Sequence, residues 1–420
     1  MPLVAEPFAD TYARLWQELR RREWAAYAED QLLDRTAIEQ AIFEAAARSE
    51  PVATAGRSAD ADPDATLVEH VRRRALVDYD PEVARLRDRL DDWGTYGPLP
   101  VDPTTAWRRS LAAAMEPDLV ALLRLRNALA REQGAASYGH LAMTAEGLDL
   151  DEVAAAMRSL RATGLGDAHA LAADAGLTIE MWFDGLDRIA EPTNLDAVAV
   201  AADLATRLGC DDLFGRIRWT VRDGPLAGWA AAVAIPDDIR VLVRPARSLR
   251  DVATVYHELG HALAYAGTRA LGIRAIPSDT QDELMGVVLE LVGVQLMLPA
   301  DAQERLRRIQ AAESVRVATS ALFEIAIQDE PERARELFEA WYRPLVAVPD
   351  PAVWALDSFR WADPFRIHAY GLGARLGATL VARLDEGFGE DPAAWGGWLP
   401  DELWVPGRRA AFAELATLLS

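Results

Sequence analysis

The sequence contains no lysine; all 44 of its basic residues are arginine. Schiff-base, pyridoxal and P-loop phosphate chemistries each call for a lysine, so none of them can operate here. Cysteine is almost as scarce. Cys210 stands alone, which excludes an intrachain disulfide and a thiolate metal cluster, and its neighbours Asp211 and Asp212 disfavour a reactive thiolate. It reads as a core residue. Positive charge is also short, with a net charge of −22, which argues against a nucleic-acid partner and more mildly against an anionic membrane surface. The longest apolar run, Gly286 to Leu298, is interrupted by Glu290 and is too short to span a bilayer. Residues 1–10 carry neither a basic nor an apolar leader region, so the expectation is a soluble, cytoplasmic protein.

What is present is mainly helical. Apolar residues recur at helical spacing over 8–47, 65–92, 117–133, 150–162, 167–175 and 195–208. Small, acidic and proline-rich stretches at 49–64 and 93–103 interrupt that pattern and read as loops. Between 216 and 245 the period changes to two, with strands expected at 217–222, 229–235 and 239–243. Turns at Asp223-Gly224-Pro225 and Pro236-Asp237-Asp238 separate them. The expectation is a small antiparallel sheet next to the segment that carries the chemistry.

That segment reads His257-Glu258-Leu259-Gly260-His261. Histidines four apart share one side of a helix and can reach one ion, while the intervening glutamate is offset and can face a water instead. Zinc fits such a pair, with Glu258 as the general base of a hydrolysis. Ser248 and Asp251 form a capping box for a helix starting near Leu249. Val252, Val255, Leu259 and Leu263 make an apolar stripe on the side roughly opposite the histidines. Ala264 and Gly267 stand where a metzincin needs glycine and a third histidine, which excludes that subclass. The remaining ligand should come from the next helix, capped by Ser278 or Asp279 and ended by Pro299. It offers Glu283 and Glu290, which lie ~10 Å apart along the axis and cannot both hold one ion. Glu283 is preferred.

The run Glu283-Leu-Met-Gly-Val-Val-Leu-Glu290-Leu resembles the second-helix motif of gluzincin peptidases, both the angiotensin-converting-enzyme family and the oligopeptidases (thimet oligopeptidase, oligoendopeptidase F). Residues 125–138, the strand with Gly228-Trp229-Ala230-Ala231, and Pro364-Phe365-Arg366-Ile367-His368-Ala369-Tyr370 follow in the matching order. The resemblance implies a predominantly helical fold of two lobes around a deep groove, an N-terminal lobe over 1–145 and a zinc-bearing lobe over 146–420. It also implies one zinc held by His257, His261 and Glu283, and substrate lying along Gly228, Trp229 and Ala230. Tyr370, or else His368, would stabilise the oxyanion. Arg366 and Arg375, with Arg360, are the cations that could meet a substrate carboxylate. Two departures stand out. The aspartate that supports a zinc histidine in the angiotensin-converting-enzyme family is replaced by Val287, leaving Asp279 or Asp282 to substitute. Arg366 replaces an aromatic hydroxyl.

The function expected is hydrolysis of a peptide or amide bond in a short peptide-like substrate. A tailoring hydrolase for one small molecule, and a peptide-binding protein that has lost catalysis, are the alternatives on the same scaffold.

Overall fold

A computed structural model of the chain describes residues 7–404 except 30, 32, 51–62, 96–104, 225 and 390. Most of the two expected loops, 49–64 and 93–103, therefore lies outside the described residues. Helices dominate. The chain divides into two compact units, one formed by 1–38, 187–310 and 372–420, the other by 39–186 and 311–371. The expected boundary at 145/146 falls inside the second of these.

In the first unit a three-stranded sheet is made of β2 (Ile217–Val221), β3 (Gly228–Ala234) and β4 (Asp238–Val243), with β4 in the middle. A separate two-stranded ladder joins β1 (Pro192–Leu195) to β5 (Ala246–Ser248). The expectation of an antiparallel sheet needs correction, because β2 runs parallel to β4 and only β3 is antiparallel to it. β2 and β3 are the two edge strands, and β4 inserts between them. Alternating hydrophobicity identifies strands but is silent on their order.

The two faces of this sheet have different covers. Ala230, Ala232, Ile239, Val241 and Val243 point into the main core with the histidine helix, Leu249–Gly267. Ala231, Val233 and Leu242 pack instead around Trp24 of the N-terminal helix, Phe8–Glu29. The histidine helix opens with the expected capping box, Ser248 accepting from the Asp251 amide and the Asp251 carboxylate accepting from the Ser248 amide. Its stripe residues Val252, Val255, Leu259 and Leu263 are fully buried. At roughly 1.5–3 kcal/mol apiece, that burial rather than helix propensity holds the helix in place. The glutamate helix, Asp279–Met297, is capped by Ser278 and packs along it.

The second unit is all but strandless among its described residues. Two expected helices, 150–162 and 167–175, are one continuous helix, Leu150–Asp174, started by Asp149. Gly164 and Gly166 lower its propensity by about 1 kcal/mol each without ending it. Pro117, expected at a helix start, lies inside Thr105–Glu132.

Candidate metal centre

Three donor atoms converge in the first unit. His257 Nε2 and His261 Nε2 lie 3.0 Å apart, and Glu283 Oε2 is 3.3 Å from the first and 4.0 Å from the second. Helix periodicity places the imidazoles one turn apart, and the packing of the glutamate helix brings the carboxylate to them. Gly286 makes that approach possible. A Cβ there would sit 2.6 Å from His257 Nε2 and 2.7 Å from His261 Nε2.

Each imidazole is oriented from behind. His261 Nδ1 lies 3.0 Å from Asp282 Oδ1, which also accepts from the Tyr265 hydroxyl at 2.6 Å. His257 Nδ1 lies 3.1 Å from Glu290 Oε2, whose other oxygen accepts from Gln310 Nε2 at 2.6 Å. With each Nδ1 engaged by a carboxylate, Nε2 is the nitrogen that each ring would offer to a metal once it is deprotonated. Asp282 was one of the two acids expected to stand in for the residue missing at Val287. Glu290, weighed as a rival ligand, supports His257 instead. Val287 is turned to apolar packing, with its side chain 2.9 Å from where a Cβ on Gly377 would lie.

The electrostatics favour a cation. Burial disfavours an imidazolium at His257, but the Glu283 and Glu290 carboxylates outweigh it and hold the pKa well above the ordinary value. Burial likewise opposes charge at His261, and Asp282 reverses the balance. Glu258 is raised, first by burial. Four carboxylates therefore surround two imidazoles, an imbalance that a divalent cation would offset. The two-imidazole, one-carboxylate donor set fits such an ion, since nitrogen and oxygen ligands of this kind suit zinc-like metals.

Glu258 is 7 % exposed and sits against the start of β3. A Cβ on Gly228 would fall 2.8 Å from Glu258 Oε1, so a glycine is needed for that edge strand to reach the carboxylate. Ala230 faces the same side. Trp229 does not. Its ring stacks on Trp24 at 5.9 Å and meets Tyr27 edge-on at 5.6 Å, so only its main chain could serve a substrate.

Arg375 is in the first unit and exposed, on the helix Ile367–Phe388. His368, Tyr370 and Arg366 belong to the second unit. There His368 is buried, Tyr370 meets Phe359 edge-on at 5.8 Å, and Arg366 is half-buried. The turn before them holds Phe365 at φ 62°, a conformation that favours glycine; its amide donates to Glu324 Oε1 at 3.0 Å. Arg360 is not available to a ligand, because it is 1 % exposed and paired with Glu324 and Asp357, each at 3.1 Å. Cys210 is buried as expected, with its thiol pushed up to about 11 by burial.

Sequence reading missed Tyr265, Gln310 and the need for Gly286. Tyr265 stands four residues beyond His261, so its place on the metal face was readable. A glycine inside an apolar helix was also a signal of close packing. Gln310 carried none.

The sequence matches no family model and no curated protein. Solved structures do resemble it. The M32 carboxypeptidase from Deinococcus radiodurans R1 superposes with a TM-score of 0.67 at 17 % identity, over 97 % of this chain and 93 % of that one. A protein taken to be an oligoendopeptidase F gives 0.64 at 14 %, over 100 % and 93 %. A Pyrococcus furiosus carboxypeptidase gives 0.62 at 15 %, over 95 % and 92 %. Among the described residues no helix is long and apolar enough to cross a membrane. At these identities the likeness establishes architecture: the chain has the helical fold, with a small sheet, of the M32 carboxypeptidases and oligoendopeptidase F-like peptidases.

Proposed function

We propose that the chain is a zinc-dependent peptidase that hydrolyses short peptides. The observation that carries this reading is the convergence of His257, His261 and Glu283 donor atoms within 4.8 Å of one another, with the Glu258 carboxylate buried beside them. Its likeness to peptidase structures, two of them named carboxypeptidases, supports the same reaction class.

Bound by those three residues, zinc would supply Lewis-acid stabilisation of negative charge on oxygen. Glu258 takes the proton of the attacking water and returns it to the leaving amine. One carboxylate can serve as base and then as acid in these two steps. β3 is an edge strand of its sheet, so its main chain from Gly228 could pair with an extended substrate. Tyr370, with His368 as alternative, is proposed as the oxyanion donor on sequence resemblance, and Arg366 and Arg375 as cations for a terminal carboxylate because the chain has no lysine. The motive for a non-catalytic reading, a missing support at Val287, is weakened by Asp282 and Glu290, which support both imidazoles.

The test is Glu258→Gln assayed on a mixed peptide library alongside metal analysis. Zinc should stay at one per chain while turnover falls about 10²–10⁴-fold, the usual contribution of a general base. Undiminished turnover in the variant would remove Glu258 from the mechanism. Loss only of substrates with a free C-terminus, when amidated peptides are compared, would mark a carboxypeptidase.

A further inference from the structure

His257, His261 and Tyr265 follow one another at four-residue intervals along one face of the histidine helix. The Tyr265 hydroxyl donates to Asp282 Oδ1 at 2.6 Å, and the same oxygen lies 3.0 Å from His261 Nδ1. The two rings are nearly parallel, 18° apart with centroids at 6.3 Å. Tyr265 and His261 are 6 % exposed and Asp282 8 %, so water does little to hold this carboxylate.

The arrangement has a directional consequence. A carboxylate terminal torsion is broad and roughly two-fold, so an aspartate left to itself samples several orientations toward a neighbouring ring. A second donor fixed on the same helix as the imidazole removes that freedom. Oδ1 is then pinned opposite Nδ1, which fixes the plane of the His261 ring and the direction in which Nε2 faces.

We propose that Tyr265 is a positioning residue for the metal centre, acting through Asp282 on His261. The inference rests on the zinc reading above. The tyrosine touches neither ligand atom nor substrate in this role; it sets the geometry of one ligand.

The experiment titrates zinc into metal-free protein against a competing chelator, comparing wild type with Tyr265→Phe, Tyr256→Phe and Glu283→Ala. Tyr256 is a buried tyrosine on the same helix that packs toward Gly293, and it controls for general loss of a hydroxyl there. Wild-type binding that Glu283→Ala abolishes establishes the centre itself. Tyr265→Phe should then bind zinc roughly 10-fold more weakly, the lower end for loss of an outer-shell partner, with Tyr256→Phe unchanged. Cobalt(II) in place of zinc should show an altered visible absorption band in Tyr265→Phe alone, which a merely structural tyrosine would not produce. Wild-type zinc affinity and an unaltered cobalt band in Tyr265→Phe would overturn the proposal and leave the metal reading standing. Equal weakening in both tyrosine variants would overturn it too. Absence of zinc uptake by the wild type would sink both.

Discussion

Two buried polar clusters, one in each unit, differ in their charge balance. In the second unit Arg360 lies between Glu324 and Asp357, Arg316 pairs with Glu313, and Arg126 donates to the Arg360 and Trp361 carbonyls. Burial opposes charge on Arg360, and its two carboxylates overcome that, so its pKa is raised. Cations and anions are matched there, and the cluster fixes the turn around Phe365. Around His257 and His261 the acids outnumber the bases, with Asp282, Glu283, Glu290 and Glu258 set against two imidazoles. A matched cluster is complete as folded. A mismatched one could take up a cation, and that difference is what the proposed metal centre rests on.

The largest expected effect breaks the matched cluster. Arg360→Ala leaves Glu324 and Asp357 without their guanidinium in a place where Glu324 is 2 % exposed. Removing one partner of a buried ion pair costs about 3–5 kcal/mol, which urea unfolding would register as a large fall in midpoint. A loss below about 1 kcal/mol would mean that the network does not carry the turn, and the contrast between the clusters would lose its structural half.

Sequence alone exposed the site better than the sheet. The His257–His261 spacing, the Ser248–Asp251 cap and the apolar stripe are local, so helix geometry turns them directly into positions. Glu283 was reachable because the next helix offered only two candidates. Glu290 had the right distance from Glu283 but no residue-level mark of its partner, since its bond to His257 depends on how two helices cross. The place of β2 beside β4 was hidden for the same reason. Pairing order is set by a connection that alternation does not encode. Gly164 and Pro117 misled in the opposite direction, because packing along long helices overrode their local propensity.

A middle-sized effect sharpens the comparison at the mismatched cluster. Gly286→Ala adds a methyl group 2.6 Å from His257 Nε2, where the neighbours are the two imidazoles held by Glu290 and Asp282. Helix propensity alone would favour alanine by up to ~1 kcal/mol. The expected outcome is therefore divergent, with zinc affinity falling about 10–100-fold, as for other disturbances of ligand orientation, while helix content by circular dichroism is kept. Unchanged affinity would show that the rings can retreat, and that Gly286 is a packing accommodation only.

The smallest effect concerns charge matching near the surface of the second unit. Glu116 accepts from Arg335 Nε and from Trp354 Nε1, each at 2.9 Å. Burial raises its carboxyl pKa, but these two bonds outweigh burial and the net shift is downward. A carboxylate held below its unfolded value of about 4.3 adds stability above that pH and loses it as pH falls through the folded pKa. Glu116→Gln keeps a neutral acceptor but has no charge to titrate. Wild type should thus be the more stable at pH 6, with the gap closing toward pH 3 as thermal midpoints are compared. Arg335 is half exposed, so solvent screening keeps the gap small, and added salt should narrow it further. A gap that stays constant with pH would assign the benefit to hydrogen-bond geometry, and matched charge would then matter only where, as at Arg360, water is excluded.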